Sequence, residues 1–155
     1  MKYITPEGYR RISAELAELW KVKRPEIVKA IAVAAAEGDR SENAEYIYRK
    51  KELRETDRKI RHLEKHLKDI KVVQDKPRNR EKVFFGAYVT LENENLPGRV
   101  QYRLVGSIES RPEQGEISIL SPIAKALLGK DLGDEVQIHL PGGEKKTYLI
   151  VEIDY

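Results

Sequence analysis

The sequence contains no cysteine, which excludes disulfide bonds and thiolate metal sites. It also lacks an apolar run long enough to cross a bilayer, and its first residues lack the apolar segment of a signal peptide. We therefore expect a soluble cytoplasmic protein with no membrane partner. The three histidines have no further ligand types recurring beside them, so they do not suggest a zinc site.

Basic residues exceed acidic ones only in the first half of the chain. Residues 1–75 contain 18 Lys and Arg against 14 Asp and Glu, a net charge of +4. Residues 76–155 contain 11 against 12, a net charge of −1. Because a polyanion is attracted to positive charge, the first half is the part expected to meet one.

The first helical segment is expected to start at Thr5, which precedes a proline and an acid. A hydroxyl cap, a proline in the first turn and an early acid are typical of a helix start. Apolar residues then recur every three or four positions from Tyr9 to Leu19. Pro25 lacks a backbone N–H and clashes with the preceding turn, so it predicts a kink or a short break near Arg24.

A heptad pattern marks the second helical segment. One apolar row is Tyr46, Leu53, Ile60 and Leu67, and the second is Thr56, Leu63 and Ile70. Arg49 falls where the second row would continue toward the start of this segment. Two such seams joined by a short turn predict an antiparallel coiled coil over residues 1–75, with arms of about 35 residues and a length of roughly 50 Å.

Six outward heptad positions of the second helix are all basic, and we call them the basic stripe. They are Lys51, Arg54, Arg58, Arg61, Lys65 and Lys68. One interpretation is a solvated face whose charges pair with flanking acids such as Glu52, Glu55 and Asp57. The other is a surface that binds a polyanion, because one sign of charge repeated over six positions repels itself and suits phosphate binding.

Residues 38–46 form the expected tip of the hairpin, and two carboxylates lie three residues apart within it. Asp39 and Glu42 have the spacing of a capping box, in which both side chains would serve the start of the second helix. The same two carboxylates could instead hold a hard divalent cation such as Mg²⁺. Two ligands alone make a weak site, so the chemistry would take place in the active site of a partner.

The second half of the chain is expected to be a small sheet domain over residues 81–155, after a linker at 76–80. Five segments are typical of strands: 82–91, 100–105, 116–120, 135–140 and 146–153. The turns between neighbouring segments predict antiparallel pairing. Ser121 and Pro122 start one short helix that stops at Gly129. This domain carries no pair of a nucleophile and a general base, and we expect it to serve as a docking or positioning domain.

Several segments together resemble the Gre family of bacterial transcript cleavage factors, most closely its GreB type. They include the tip GDRSENAEY, the basic segment YRKKELRETDRKIRHL, KVFFGAYV and SPIAKALLGK. The resemblance implies a coiled coil followed by an FKBP-like domain that docks at the rim of the secondary channel of RNA polymerase, on the largest subunit. The coiled coil would then bring its tip to the nascent RNA 3′ end in a backtracked complex.

The resemblance also implies roles for individual residues. Asp39 and Glu42 correspond to the catalytic acids, which would help hold Mg²⁺ shared with the polymerase and stimulate the polymerase's own RNA cleavage. The implied RNA contacts are Asn43, Tyr46, Arg49, Lys51, Arg54, Arg58 and Arg61. The implied docking residues are Ser118, Leu120, Ser121 and Pro122, although family members often carry a small polar or acidic residue in place of Leu120.

Other functions remain open from the sequence. A channel-binding regulator of the same shape could inhibit polymerase without cleavage, but the Asp-x-x-Glu-Asn tip is intact here and favours cleavage. A pure interaction protein would use the tip acids only as a cap. A stand-alone nuclease is disfavoured, because two exposed carboxylates lack an enclosed metal site. The short tip favours a hairpin within one chain and so a monomer.

Overall fold

The computed structural model describes residues 2–38, 42–95, 97–139 and 142–155. The chain divides into two compact units. One contains Arg10–Ile70, and the other combines the residues up to Tyr9 with Lys71–Tyr155. No helix among the described residues is both long and apolar enough to cross a membrane.

A helical hairpin forms the Arg10–Ile70 unit. Its first arm runs through α1 (Pro6–Glu18), whose first four residues belong to the other unit, a π-helical turn (Leu19–Lys23) and α2 (Arg24–Ala35). Its second arm is α3 (Ala44–Leu67). The first arm has 13, 5 and 12 residues in these parts, 30 in all, and α3 has 24. At 1.5 Å per residue these arms are roughly 45 and 36 Å long. The hairpin is as expected, but arms of about 35 residues and roughly 50 Å were an overestimate. The first arm ends at Ala35, and α3 runs only from Ala44 to Leu67.

The helix does not break at Pro25, and the irregularity expected near Arg24 is a π-helical turn, a feature at which helices often bend. Pro25 has no N–H to donate to the carbonyl four residues earlier. The N–H of Arg24 donates instead to the carbonyl of Leu19, five residues earlier, and the helix continues into α2 without interruption. A π turn inserts one extra residue. This insertion accounts for the change in apolar spacing between Leu19 and Ile27.

The heptad pattern of α3 describes the seam correctly. Thr56, Ile60 and Leu63 are buried. On the first arm the buried apolar residues are Ile12, Leu19, Ile27 and Ala34. The six residues of the basic stripe are all exposed, as positions opposite the seam should be. The hairpin therefore fills its own seam within one chain.

A five-stranded sheet forms the core of the second unit. Its strands are β3 (Tyr88–Glu92), β4 (Arg99–Val105), β5 (Glu116–Ser118), β6 (Glu135–His139) and β7 (Lys145–Asp154), in the spatial order β5-β4-β3-β7-β6. The short helix α4 (Pro122–Leu127) contributes Ala124 and Leu127 to the same core as Val136 and Ile138 of β6. A hairpin followed by a small sheet domain with one short helix was the architecture expected from the sequence.

The sheet is mixed, so the prediction of purely antiparallel pairing is wrong at one edge. β5 pairs with β4 in parallel, with Arg103 opposite Glu116 and Val105 opposite Ser118. The chain between them passes through two 3₁₀ turns, Ser107–Glu109 and Pro112–Gln114, instead of a tight hairpin. A parallel pair needs such a crossover, because the chain must return to the same end of the sheet.

A buried carboxylate, Glu109, ties the first residues of the chain to the turn after β4. Its Oε2 accepts from the backbone N–H groups of Thr5, at 2.9 Å, and Gly106, at 2.8 Å. Its Oε1 accepts from the Thr5 hydroxyl, which in turn accepts from the N–H of Gly8 at 3.0 Å. Nearby, β1 (Tyr3–Ile4) pairs in parallel with β2 (Lys71–Val72), a short sheet that the sequence did not predict.

Candidate functional site

The tip of the hairpin is capped by a residue that the sequence did not suggest as the cap. The N-cap of α3 is Asn43, whose side-chain oxygen accepts from the N–H of Tyr46 at 3.1 Å. The capping box expected from Asp39 and Glu42 is therefore wrong, because the helix begins after both residues. Glu42 lies before the cap and is exposed. Asp39 falls outside the described residues.

Asn43 also joins the two arms of the hairpin at the tip. Its amide nitrogen donates to the backbone carbonyl of Ala34, near the end of α2, at 2.7 Å. Ala34 is the buried apolar residue of the first arm that lies nearest the tip, so this hydrogen bond is formed where the packed part of the seam ends. One side chain thus fixes both the start of α3 and its distance from α2.

Replacing Asn43 by alanine is expected to destabilise the tip by about 1 to 3 kcal/mol. Loss of an N-cap costs about 1 kcal/mol, and loss of the hydrogen bond to Ala34 costs about as much again. Asn43→Asp keeps the capping oxygen but removes the donor, so its loss of stability should be smaller. Urea unfolding and hydrogen exchange of residues 43–48 measure both effects. Equal stability of Asn43→Asp and Asn43→Ala would show that the cap contributes nothing.

The carboxylate of Glu42 is a candidate metal ligand, either in a site formed by this chain alone or in one to which another molecule contributes ligands. No cluster of three or more His, Cys, Asp or Glu side chains that could hold a metal lies within the described ranges. Carboxylate oxygens are the donors that Mg²⁺ prefers, and Mg²⁺ usually keeps several waters. The exposed carboxylate of Glu42 is therefore of a chemical type that Mg²⁺ binds, and it does not form a site by itself.

The acids beside the basic stripe are mostly engaged elsewhere. Glu52 accepts from Arg49 at 2.8 Å, and Asp57 accepts from Arg24 of the other arm at 2.8 Å. Glu55 lies 4.0 Å from Lys51. In the part of the chain that the structure describes, Arg54, Arg58 and Arg61 form no ion pair. The interpretation of the basic stripe as a solvated face depends on pairing with flanking acids, and these three positions do not support it.

Polar contacts between the arms were missed by the sequence analysis. Trp20 donates to Glu64 at 2.8 Å, and Lys59 lies 2.7 Å from Glu15. The hydrogen bond to Asp57 raises the pKa of the Arg24 guanidinium. No signal in a single sequence identifies such pairs, because they depend on the register between the arms.

Three of the predicted RNA contacts, Asn43, Tyr46 and Arg49, form hydrogen bonds within the hairpin. Arg49 donates to Glu45 at 2.9 Å as well as to Glu52, and these hydrogen bonds, with Glu52 the larger cause, raise the pKa of its guanidinium. Tyr46 is half-buried. Asn43 uses both polar ends of its side chain within the tip. Lys51, Arg54, Arg58 and Arg61 are exposed. Contact with RNA remains a prediction for all seven residues.

The four predicted docking residues meet in the turn between β5 and α4. Ser118 Oγ lies 2.7 Å from Ser107 Oγ and accepts from the N–H of Leu120 at 3.1 Å. Ser121 caps α4 by accepting from Ala124 at 3.3 Å, and Pro122 is the first residue of that helix. Hydrogen bonds therefore hold the side chains of Ser118 and Ser121 in place. The side chain of Leu120 is exposed to solvent, at 66%.

Comparison with known proteins identifies the family. The model described as transcription elongation factor, N-terminal, matches residues 2–72, and the model described as transcription elongation factor, GreA/GreB, C-term, matches residues 77–155. The chain belongs to the GreA/GreB family of transcription elongation factors. The resemblance found in the sequence is confirmed.

Individual relatives of the GreA/GreB family match over nearly the whole chain. Transcription elongation factor GreB of Xanthomonas axonopodis pv. citri is 53% identical over 98% of this chain and 90% of its own length. GreB of Pseudomonas aeruginosa is 52% identical over 98% and 89%. Two solved structures, GreA factor homolog 1 of Thermus thermophilus and GreA/GreB of Nitrosomonas europaea, cover 99% of this chain at 25% and 21% identity, with TM-scores of 0.44 and 0.46. They cover 99% and 98% of their own chains.

Proposed function

We propose that this chain enters the secondary channel of bacterial RNA polymerase and stimulates hydrolytic cleavage of the RNA 3′ end in backtracked complexes. The observation that carries the proposal is the exposed Glu42 beside a tip whose cap is supplied by Asn43. Because Asn43 is the N-cap of α3, the start of this helix does not depend on the Glu42 carboxylate. Membership of the GreA/GreB family supports the same conclusion.

The two parts of the chain would have separate tasks. Within residues 1–75, the hairpin unit Arg10–Ile70 would reach the active site. Residues 76–80 would link, and residues 81–155 would dock at the channel rim on the largest subunit of polymerase. The fixed turn with Ser118, Leu120, Ser121 and Pro122 is the proposed docking surface. The chain acts as a monomer in the cytoplasm, and the seam that the hairpin fills by itself supports this.

Asp39 and Glu42 would complete a Mg²⁺ site with carboxylates of the polymerase. Bound Mg²⁺ polarises a phosphoryl oxygen and makes a coordinated water a better nucleophile. Glu42 would contribute a carboxylate oxygen and orient the attacking water by accepting a hydrogen bond from it. The chain by itself would have no nuclease activity, because it presents two ligands and no enclosed site.

The basic stripe would hold the extruded RNA by its phosphates and so without sequence preference. We expect Lys51, Arg54 and Arg58 replaced together by alanine to weaken binding to complexes with a long extruded RNA, and not to those with a short one. Each phosphate contact to a single strand adds about −0.7 to the slope of log affinity against log salt. The triple variant should therefore make this slope less negative by about 2.

A matched control removes the same charge from the first arm, by replacing Arg10, Lys21 and Lys29, all exposed, with alanine. This control should keep the salt slope of the wild type. If both triple variants lose affinity equally, the effect is one of net charge and the stripe does not bind RNA.

The proposed function is tested with stalled, backtracked complexes that contain RNA labelled at its 5′ end. The wild-type chain is expected to shorten this RNA from the 3′ end and to restart elongation. The alternative, a channel-binding inhibitor, predicts that the chain binds and slows elongation while the RNA keeps its length. That result would overturn the cleavage proposal.

A further inference from the structure

Two large apolar side chains lie exposed at the tip end of α3, next to the basic stripe. Ile47 is 51% exposed and Tyr48 is 57% exposed. Single exposed apolar residues are common and need no explanation. Tyr48 differs because its ring is supported by a neighbouring charge: the guanidinium of Arg49 lies over it, 5.6 Å from the ring centre.

Arg49 is itself held in place on both sides. Its Nε donates to Glu45 and its terminal nitrogen to Glu52, at 2.9 and 2.8 Å. These hydrogen bonds hold the guanidinium along its own helix, in the position from which it contacts the Tyr48 ring. A cation over an aromatic ring is favourable by about 0.5 to 1 kcal/mol at an exposed site.

A recess of about 310 Å³ opens beside the ring of Tyr48. Leu19 and Thr56 belong to its lining, and Lys23 and Lys51 bring positive charge to it. Glu52 and Glu55 also line the recess, but they are engaged by Arg49 and Lys51. Lys59, the remaining lining residue, pairs with Glu15. The recess is thus lined by one aromatic ring, one buried leucine and one threonine, and by three lysines against two glutamates, a net charge of +1.

We propose that Tyr48 is a stacking platform for a base of single-stranded RNA, and that Arg49 positions it. The phosphates of the same strand would lie on Lys51, one helical turn away, and on the rest of the basic stripe. Basic residues interleaved with an aromatic platform are typical of proteins that bind single strands without sequence preference. This inference rests on the proposed function, since the strand is the RNA extruded by backtracked polymerase.

Tyr48 suits this role better than Tyr46, which the sequence singled out. Tyr46 lies in the seam row of the heptad and is half-buried. Its N–H donates to Asn43, so it belongs to the closed tip. Tyr48 lies two residues further on, outside the seam, with more than half of its side chain accessible.

The test measures the affinity of the chain for backtracked complexes with magnesium omitted, so that the RNA stays intact. One set of complexes extrudes ordinary RNA, and a second set extrudes RNA with abasic nucleotides in the same segment. Tyr48→Leu is expected to lose at least about fivefold in affinity for ordinary RNA, the smallest effect typical of one stacked base. It should bind abasic complexes as the wild type does.

Tyr48→Phe keeps the ring and should retain wild-type affinity, and Ile47→Ala serves as the control for an exposed apolar change. Arg49→Gln should weaken binding of ordinary RNA more than binding of abasic RNA, because Arg49 positions the Tyr48 ring in addition to any phosphate contact of its own. A loss that is equal for both RNAs would assign Tyr48 and Arg49 a structural role and overturn the inference. Wild-type affinity of Tyr48→Leu would also overturn it, while the proposed function would stand. If the wild type does not bind the complexes at all, the proposed function fails as well.

Discussion

Glu42→Gln is expected to lower the rate of RNA shortening in backtracked complexes by about 100-fold or more, without lowering the melting temperature. Glutamine lacks the negative charge that would help hold Mg²⁺ and orients the attacking water less well, and loss of one preorganised group at a reaction centre typically costs about 10²- to 10³-fold in rate. Stability should hold because Glu42 is exposed and precedes the cap of α3. Gel analysis of labelled RNA at saturating factor, together with thermal unfolding, measures both quantities.

Glu37 provides the matched control for Glu42. It is an exposed carboxylate at the end of the first arm, just before Gly38. Glu37→Gln makes the same chemical change at the same tip and is expected to shorten RNA at nearly the wild-type rate. If the two variants lose activity equally, negative charge at the tip is what matters and Glu42 has no specific role. A fully active Glu42→Gln would contradict the assignment directly.

Glu109→Ala is expected to destabilise the sheet unit by about 2 to 6 kcal/mol. The substitution leaves the N–H groups of Thr5 and Gly106 buried without their acceptor, and each such group costs about 1 to 3 kcal/mol. Glu109 is only 3% exposed, so water cannot readily replace the carboxylate. Urea unfolding followed by circular dichroism measures the loss, and hydrogen exchange of residues 3–8 localises it.

The exposed Glu113, in the next 3₁₀ turn, is the control for Glu109. Glu113→Ala should change the free energy of unfolding by no more than about 0.5 kcal/mol, as is usual at surface positions. Faster hydrogen exchange near Thr5 in Glu109→Ala alone would locate the effect at the buried contacts. Equal stability of the two variants would show that the carboxylate does not hold the N-terminal residues.

Local sequence patterns were sufficient for the hairpin and for most of the strands. The heptads of α3 predicted the buried Ile60 and Leu63 and the exposed Arg54 and Arg58, because helix periodicity determines which face is covered. The hydroxyl of Ser121 before a proline predicted the start of α4. Such signals lie within a few residues of the feature that they predict.

Features that depend on distant residues could not be predicted in this way. Glu109 contacts Thr5, 104 positions earlier, and nothing near either residue indicates the pair. The parallel pairing of β5 depends on a crossover whose length alone does not fix its direction. At the tip, Asp39 and Asn43 are both good helix caps by residue type. Only the hydrogen bonds of Asn43 to Tyr46 and Ala34 decide between them.

The most direct test of the account is a Mg²⁺ titration of RNA shortening in backtracked complexes, with the wild type and with Asp39→Asn. Asparagine keeps the size of the side chain and removes the charge that would hold Mg²⁺. At saturating occupancy, established by competition with labelled factor, the wild type should shorten the RNA at lower Mg²⁺ than polymerase alone. Asp39→Asn should occupy the complexes equally well and lose most of this stimulation. If the wild type occupies the complexes without shortening the RNA, or if Asp39→Asn is as active as the wild type at every Mg²⁺ concentration, the tip carboxylates do not act in the reaction.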